Sequence, residues 1–219
     1  MSKNTTVCLF AHPDDEAFGP GGTIALLAKT QDVYVICATK GEAGGLIDNL
    51  GDIRAEELRQ SAKILGVKEV LFLNYLDGTL SNNLYHQIAN DIEKHLENLS
   101  AHTLITFEPR GVSGHIDHIV ISMVANFLFD KLDYVEKLMM YCHNIDQVAI
   151  IKKYFPNYFV YVPPGYPASE IGERVDTTDV FNVRKEAIAC HTSQAHDLDR
   201  VLTIADKLPK EELFLVRQK

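Results

Sequence analysis

Short apolar runs alternate along this chain with longer stretches of helical spacing, and that alternation restricts the fold more than any other feature. "TVCLFA" (6–11), "DVYVICAT" (32–39), "EVLFLNY", "HTLITFEP" and "KLMMYCH" read as strands. Between them, "GGTIALLAKT", "IRAEELRQSAKILGV" (53–67) and "NLYHQIANDIEKHLENL" read as helices, and a further helix runs from about Asp117 through "IVISMVANFLFDKL". In the second of these, Ala55, Leu58, Ala62 and Leu65 recur at helical spacing and Gly66 supplies the stop. Strands joined through helices require right-handed crossovers. The expected fold is therefore α/β, a Rossmann-like three-layer arrangement with a largely parallel central sheet covered on both faces. Beyond residue 150 the pattern loosens: "YFPNYFVYVPPGYPASE" reads as a strand plus loop and "FNVRKEAIACHTSQ" as a helix. No repeat and no linker demands a second unit, so residues 1–219 are expected to form one domain.

In such sheets binding residues gather at the carboxyl ends of the strands. "AHPDDE" follows the first strand, "TKGEAGG" the second, "LDG" the third and "EPRGVSGHIDH" the fourth. Four polar loops bearing glycine or charge thus line one rim.

Two chemistries compete for that rim. Gly19, Gly21 and Gly22 suggest a dinucleotide loop, but a G-x-G-x-x-G fingerprint needs glycine where Ile24 stands, and no G-K-[ST] follows. Two carboxylates ahead of the glycines would also repel a phosphate. The metal reading is stronger. His12 and Asp15 flank a strand-to-helix turn, and Pro13 biases His12 away from helical geometry, so imidazole and carboxylate can converge while Asp14 projects elsewhere. A catalytic zinc takes three protein ligands and keeps one position open. Either His115 or His118 of "GHIDH" can supply the third, and spacing does not choose between them. A helix-capping Asp beside surface histidines would explain either motif alone. Both motifs at strand ends of one sheet favour the metal.

"AHPDDE" followed by "GHIDH" resembles the PIG-L/LmbE-like zinc-dependent de-N-acetylases. "TKGEAGG", the R-x-x-E-L-x-x-x-A-x-x-L-G pattern from Arg54, "LDG" and the late "HTSQ" extend the resemblance over most of the chain. It implies one Zn2+ per chain, or another divalent ion, held by His12, Asp15 and His118. It further implies Asp14 as general base, His115 as the residue that stabilises or protonates at the reacting centre, and Asp117 as orienter of an imidazole, that of His115. Arg54 and Asp77 match positions that hold the substrate sugar; a solvated helix charge and a turn former are their plainer readings. Ile116 stands where the family often has Pro, a change in loop stiffness rather than in ligands. The implied reaction removes an N-acetyl group from an N-acetylglucosamine-type small molecule. A metal-dependent phosphoesterase and a non-catalytic ligand-binding module on the same fold are the alternatives. The resemblance is also compatible with a homo-oligomer.

The formal net charge of -9 argues against nucleic acid or an anionic membrane surface as partner. No apolar run is long enough to span a bilayer, so no membrane insertion is expected. Cys8, Cys37, Cys142 and Cys190 are far apart and form no C-x-x-C pair, which suits a reducing compartment. The first strand begins directly after "MSKNTT" and leaves no room for a signal peptide, so the cytoplasm is expected.

Overall fold

The computed structural model describes residues 4–155 and 161–219. The first half alternates strand and helix as the sequence predicts: β1 (Thr5–Phe10), α1 (Asp15–Phe18), α2 (Gly21–Leu27), β2 (Asp32–Thr39), α3 (Leu50–Leu65), β3 (Glu69–Tyr75) and α4 (Tyr85–Leu99). There follow β4 (Thr103–Phe107), α5 (Gly111–Gly114), α6 (Ile116–Lys131), β5 (Lys137–Cys142) and α7 (Ile145–Tyr154). The last third adds β6 (Glu173–Asp176), α8 (Phe181–Ile188), α9 (Ala195–Lys207) and β7 (Glu211–Gln218).

All described strands join one sheet in the order β3-β2-β1-β4-β5-β7-β6. The five strands from β3 through β5 run parallel, with Cys8 of β1 opposite Val35 of β2 and Ile105 of β4. β7 enters antiparallel between β5 and β6, so the sheet is mixed at one edge. Residues of β1 alternate between two cores. Val7 and Leu9 pack with Ile88, Ile92 and Leu96 of α4 and Val124 and Leu128 of α6. Cys8 and Phe10 face the other way, towards Ile24 of α2, Leu65 of α3 and Ile188 of α8. The period-two side-chain alternation of a strand thus produces the three layers. β1 is the first of the strands and lies centrally, so the chain winds outward first one way and then the other. The topological switch point falls between β1 and β4, where ligands of open parallel sheets bind.

The sequence reading differs from the structure in its last third. α7 occupies a stretch to which the sequence reading assigns no element. Residues 156–160 of the strand expected in "YFPNYFVYV" lie outside the described residues, and Tyr166 makes an isolated bridge to Asn144 instead of joining the sheet. The glycine-rich start of α2 is closed to a phosphate: the backbone N–H groups of Gly22 and Thr23 donate to the Glu212 carboxylate at 2.8 and 2.7 Å. A carboxylate of the chain's own occupies that helix N-terminus.

Candidate active site

β1 leads straight into Ala11 and His12, and the turn then folds back on itself. Asp15 Oδ2 accepts the backbone N–H groups of Ala11 and His12 at 3.1 and 3.0 Å. Asp14 between them sits at φ 108°, in the left-handed region that non-glycine residues rarely adopt. Across the switch point, the segment after β4 carries His115 at the N-cap of α6 and Asp117 and His118 in that helix's first turn. Gly111 allows it to close: at φ +71°, it lies where a Cβ would stand 2.9 Å from that of His118. Its carbonyl accepts from His118 Nδ1 at 3.0 Å.

His12, Asp15 and His118 meet. His12 Nδ1 stands 3.1 Å from His118 Nε2, which is 3.2 Å from Asp15 Oδ1; the second Asp15 oxygen is 3.9 Å from His12 Nδ1. His118 donates through Nδ1, so its Nε2 presents a lone pair. His12 donates through Nε2 to Asp77 Oδ1 at 2.9 Å and Asp117 Oδ2 at 3.3 Å, so its Nδ1 is turned to the same point. Two imidazole nitrogens and a carboxylate oxygen around one point are stable only with a positive charge between them. Burial works against the charged form of His12, yet Asp117 and Asp77 push its pKa up to about 10, so a proton can take that place. Burial likewise disfavours ionised Asp15, but His118 overrides it and holds the carboxyl well below the usual range. This donor set has the composition and convergence of a divalent-metal centre.

Behind it lie Asp77 and Asp117, and both are engaged within the protein. Asp77 Oδ1 faces His12 at 2.9 Å and Oδ2 accepts from the Ala43 N–H at 3.0 Å. Asp117 orients His12 rather than His115. Its oxygens accept from Gly78 and Leu80 N–H at 2.8 and 3.1 Å as well as facing His12, and only its backbone N–H reaches His115 Nδ1, at 3.2 Å. His12, Asp77 and Asp117 also lie close enough to suggest a second cation site. The donor proton on His12 Nε2 and the backbone amides on Asp117 instead make the two carboxylates outer partners of a ligand imidazole.

His115 packs against both candidate ligand rings, stacked on His118 with centroids 4.9 Å apart and edge-on to His12 at 4.7 Å. Burial, then the facing His118 and His12, hold its pKa below the ordinary value. Its Nδ1 accepts from the Asp117 N–H at 3.2 Å, so Nε2 is the nitrogen left to face a substrate.

Arg54 is likewise engaged within the protein. It is buried on α3, and it donates to the carbonyls of Gly41 and Pro13 at 2.8 and 2.7 Å and to Asp14 Oδ2 at 3.0 Å. Gly41, at φ +67°, makes room for it, because a Cβ there would lie 2.5 Å from the guanidinium carbon. Arg54 is thus a clamp on Asp14. Burial raises the Asp14 pKa to about 6 against the opposing pull of Arg54.

Three buried glutamates complete the support, and none carried a role in the sequence reading. Glu16 accepts from the Asp14 backbone N–H at 3.0 Å, from His191 Nε2 at 2.8 Å and from the Ser61 hydroxyl. Glu57 accepts from Thr192 Oγ1, Ser193 N and Ser193 Oγ at 2.6–2.8 Å. Glu108 receives the turn after β4. Glu16, Glu57 and Glu108 stand inside "AHPDDE", "RAEEL" and "EPRG", so their motif membership was the available signal.

An α/β sheet with a His/Asp divalent-metal-type centre at its switch point defines the class. The chain belongs to the PIG-L family, described as GlcNAc-PI de-N-acetylase, whose profile matches residues 7–128. A relative from Bacillus anthracis, "Probable N-acetyl-alpha-D-glucosaminyl L-malate deacetylase 2", is 36% identical over 128 residues, 53% of this chain and 55% of the relative. The chain spans about half the length of the curated relatives it matches. Among solved structures, the N,N'-diacetylchitobiose deacetylase from Pyrococcus horikoshii aligns with a TM-score of 0.68 at 24% identity, covering 99% of this chain and 84% of that one. The 4-carboxy-2-hydroxymuconate hydratase GalB from Pseudomonas putida aligns with a TM-score of 0.70 at 17% identity, covering 99% and 97%. The fold therefore hosts more than one reaction, and the site must decide which. Among the described residues, no helix is long and apolar enough to cross a membrane.

Proposed function

We propose that this chain is a zinc-dependent N-deacetylase that hydrolyses the acetamide of a small N-acetylglucosamine-type substrate. One observation carries the reading: the convergence of His12 Nδ1, Asp15 Oδ1 and His118 Nε2 beside a carboxylate, Asp14, whose pKa is raised to about 6. Family membership turns that arrangement towards amide hydrolysis rather than hydration. A cation held by His12, Asp15 and His118 would polarise the amide carbonyl and lower the pKa of water from ~15.7 towards roughly 7.

The chain's own residues supply the rest. Asp14 accepts a proton from water as the new C–O bond forms at the acetamide carbon, a task suited to a base titrating near neutrality. His115 Nε2–H donates to the oxygen that gains negative charge; losing one such donor typically costs on the order of 2.7–4 kcal/mol of barrier. Asp14 then returns the proton it took to the departing nitrogen. The C–N bond breaks, leaving acetate and a free amine. Arg54 and Glu16 keep Asp14 aimed, one at its carboxylate and one at its backbone N–H.

A phosphoesterase with two metals would need carboxylates bridging ions ~3.5–4 Å apart, whereas Asp77 and Asp117 are occupied by His12 and backbone amides. The free thiols of Cys8, Cys37, Cys142 and Cys190 support the cytoplasm as the working compartment. The test is reconstitution of metal-stripped protein with zinc and other divalent ions. It is then assayed for acetate released from a panel of N-acetylated sugars, with nitrophenyl phosphate in parallel. Acetate release that needs the cation supports the reading; turnover of the phosphate ester alone would overturn it.

A further inference from the structure

Arg110 lies one turn before His115, and its carbonyl accepts from Gly114 N–H at 3.1 Å. Its guanidinium carbon sits 4.1 Å from the centre of the Tyr166 ring. A single oxygen, Glu108 Oε2, accepts from Arg110 N at 2.9 Å, Arg110 Nε at 3.2 Å and the Tyr166 hydroxyl at 2.6 Å. The other Glu108 oxygen takes Val112 N–H at 3.0 Å, and Glu108 itself is 2% exposed. A buried carboxylate therefore fixes one edge of the guanidinium and the ring on which it lies. The Arg110 side chain nevertheless stays 32% exposed, and among the described residues Glu108 is its only carboxylate partner.

Among the described residues no hydrogen bond engages Nη1 or Nη2 on the opposite edge of the guanidinium, which is held still by Glu108 and Tyr166 and partly open to solvent. Planar guanidinium forks pair bidentately with carboxylate and phosphate oxygens, and a pre-positioned fork loses little entropy in doing so. Stacking on an aromatic ring leaves those edges available. The location also fits a substrate contact. Arg110 and Tyr166 stand at the β4–β5 side of the cluster, whereas Arg54 and Asp77, on the β2–β3 side, are already engaged within the protein.

We propose that Arg110, fixed by Glu108 and Tyr166, is a recognition subsite for an anionic group, carboxylate or phosphate, on the part of the substrate attached to the N-acetylated sugar. This rests on the deacetylase reading above and narrows its substrate class to acidic glycosides. The plainer role, a salt bridge that only braces the turn, makes a different forecast: its loss would slow all substrates alike.

The experiment compares three acetamido sugars on the reconstituted enzyme: one bearing a malate-type carboxylate, one bearing an inositol phosphate, and neutral N,N'-diacetylchitobiose. The wild type is expected to favour a charged glycoside over the neutral one by at least tenfold in kcat/KM, with the preference falling as salt rises. Arg110→Gln is expected to reduce that ratio at least tenfold, and Arg110→Lys to restore part of it. Whichever charged arm is preferred identifies carboxylate or phosphate as the partner. No preference in the wild type, or an equal loss on every substrate in Arg110→Gln, overturns the proposal. Should none of the three be turned over, the deacetylase reading fails separately, and calorimetric titration decides the subsite. Binding of a charged glycoside to the wild type but not to Arg110→Gln upholds it; binding to both or to neither overturns it.

Discussion

Glu16 Oε2 accepts the backbone N–H of Asp14 at 3.0 Å, so a wholly buried glutamate holds the candidate base in its left-handed conformation. The other Glu16 oxygen faces His191 and Ser61, so the carboxylate ties the turn after β1 to α3 and to the late "HTSQ" segment. Glu16→Gln places an amide donor where at least one of three donors now points. We expect kcat to fall at least tenfold while metal content stays near one per chain. Elemental analysis and turnover measured on the same preparation check this; loss of metal together with turnover would instead make Glu16 a support of the ligands.

Asp14 and Arg54 separate chemistry from scaffolding. Asp14→Asn should keep the metal and lose most turnover, because the amide cannot take the proton from water. Arg54→Met removes a buried cation that serves two carbonyls and Asp14. Breaking a buried pair from one side typically costs about 3–5 kcal/mol. Urea denaturation should therefore show a loss of stability in both variants, since each breaks the same buried pair, and a larger one for Arg54→Met, which also strips two carbonyls of their donor. Wild-type turnover in Asp14→Asn would remove Asp14 from the reaction.

The position of the site was legible because strand ends carry it: "AHPDDE" and "GHIDH" follow β1 and β4, the neighbouring strands at which the sheet reverses. What spacing could not convey was which atom faces which. Motif spacing identifies loops, but ring orientation depends on hydrogen bonds such as His118 Nδ1 to the Gly111 carbonyl. Asp77 and Asp117 consequently face His12, and His115 Nδ1 accepts from the Asp117 N–H. The antiparallel edge was hidden for a different reason. β6 is the four-residue "ERVD" with alternate residues exposed, and its order depends on pairing with β7 from the chain's end rather than on its own propensity. Buried Glu16, Glu57 and Glu108 look in sequence like ordinary solvated charges, and only tertiary packing reveals their donors.

Two carboxylates on one imidazole give a graded prediction for the metal. Asp117→Asn and Asp77→Asn each leave His12 with one acid on Nε2. Outer partners of this kind typically govern metal affinity by about 10–100-fold. Competition with a chromophoric chelator should show that loss for each single variant. The double variant should lose more than either, whereas His12→Ala should bind no metal under the same conditions.

Removal of the cation should register in stability as well as in turnover. The ligands converge only in the folded chain, so a cation that binds there raises stability by about 2.7 kcal/mol at a hundredfold excess over its Kd. Without it, Asp15, His12 and His118 rely on protons for balance. Chelator-treated protein is expected to melt at lower temperature, and the midpoint should climb with added zinc in the wild type but not in His118→Ala. A midpoint indifferent to zinc in the wild type would mean that the triangle holds no cation.

His143 supplies a pH dependence away from the metal centre. It follows β5, partly buried with its Nδ1 shielded from solvent, and that desolvation, reinforced by Arg184, lowers its pKa to about 4. In the unfolded chain a histidine titrates near 6.5. Between those values the unfolded state binds a proton that the folded state refuses, so stability rises with pH across this window and is lost as pH falls from 6.5 towards 4. The full effect, reached near pH 4, is on the order of 3 kcal/mol. His191 works in the opposite sense: burial opposes its charged form, but Glu16 raises its pKa, so its contribution is complete below 6.5 and fades as pH rises through the higher folded value. Urea midpoints of metal-free protein measured from pH 4 to 8 should therefore fall less steeply on the acid side in His143→Phe than in the wild type. Parallel acid limbs in the two proteins would show that His143 is not the group that resists protonation.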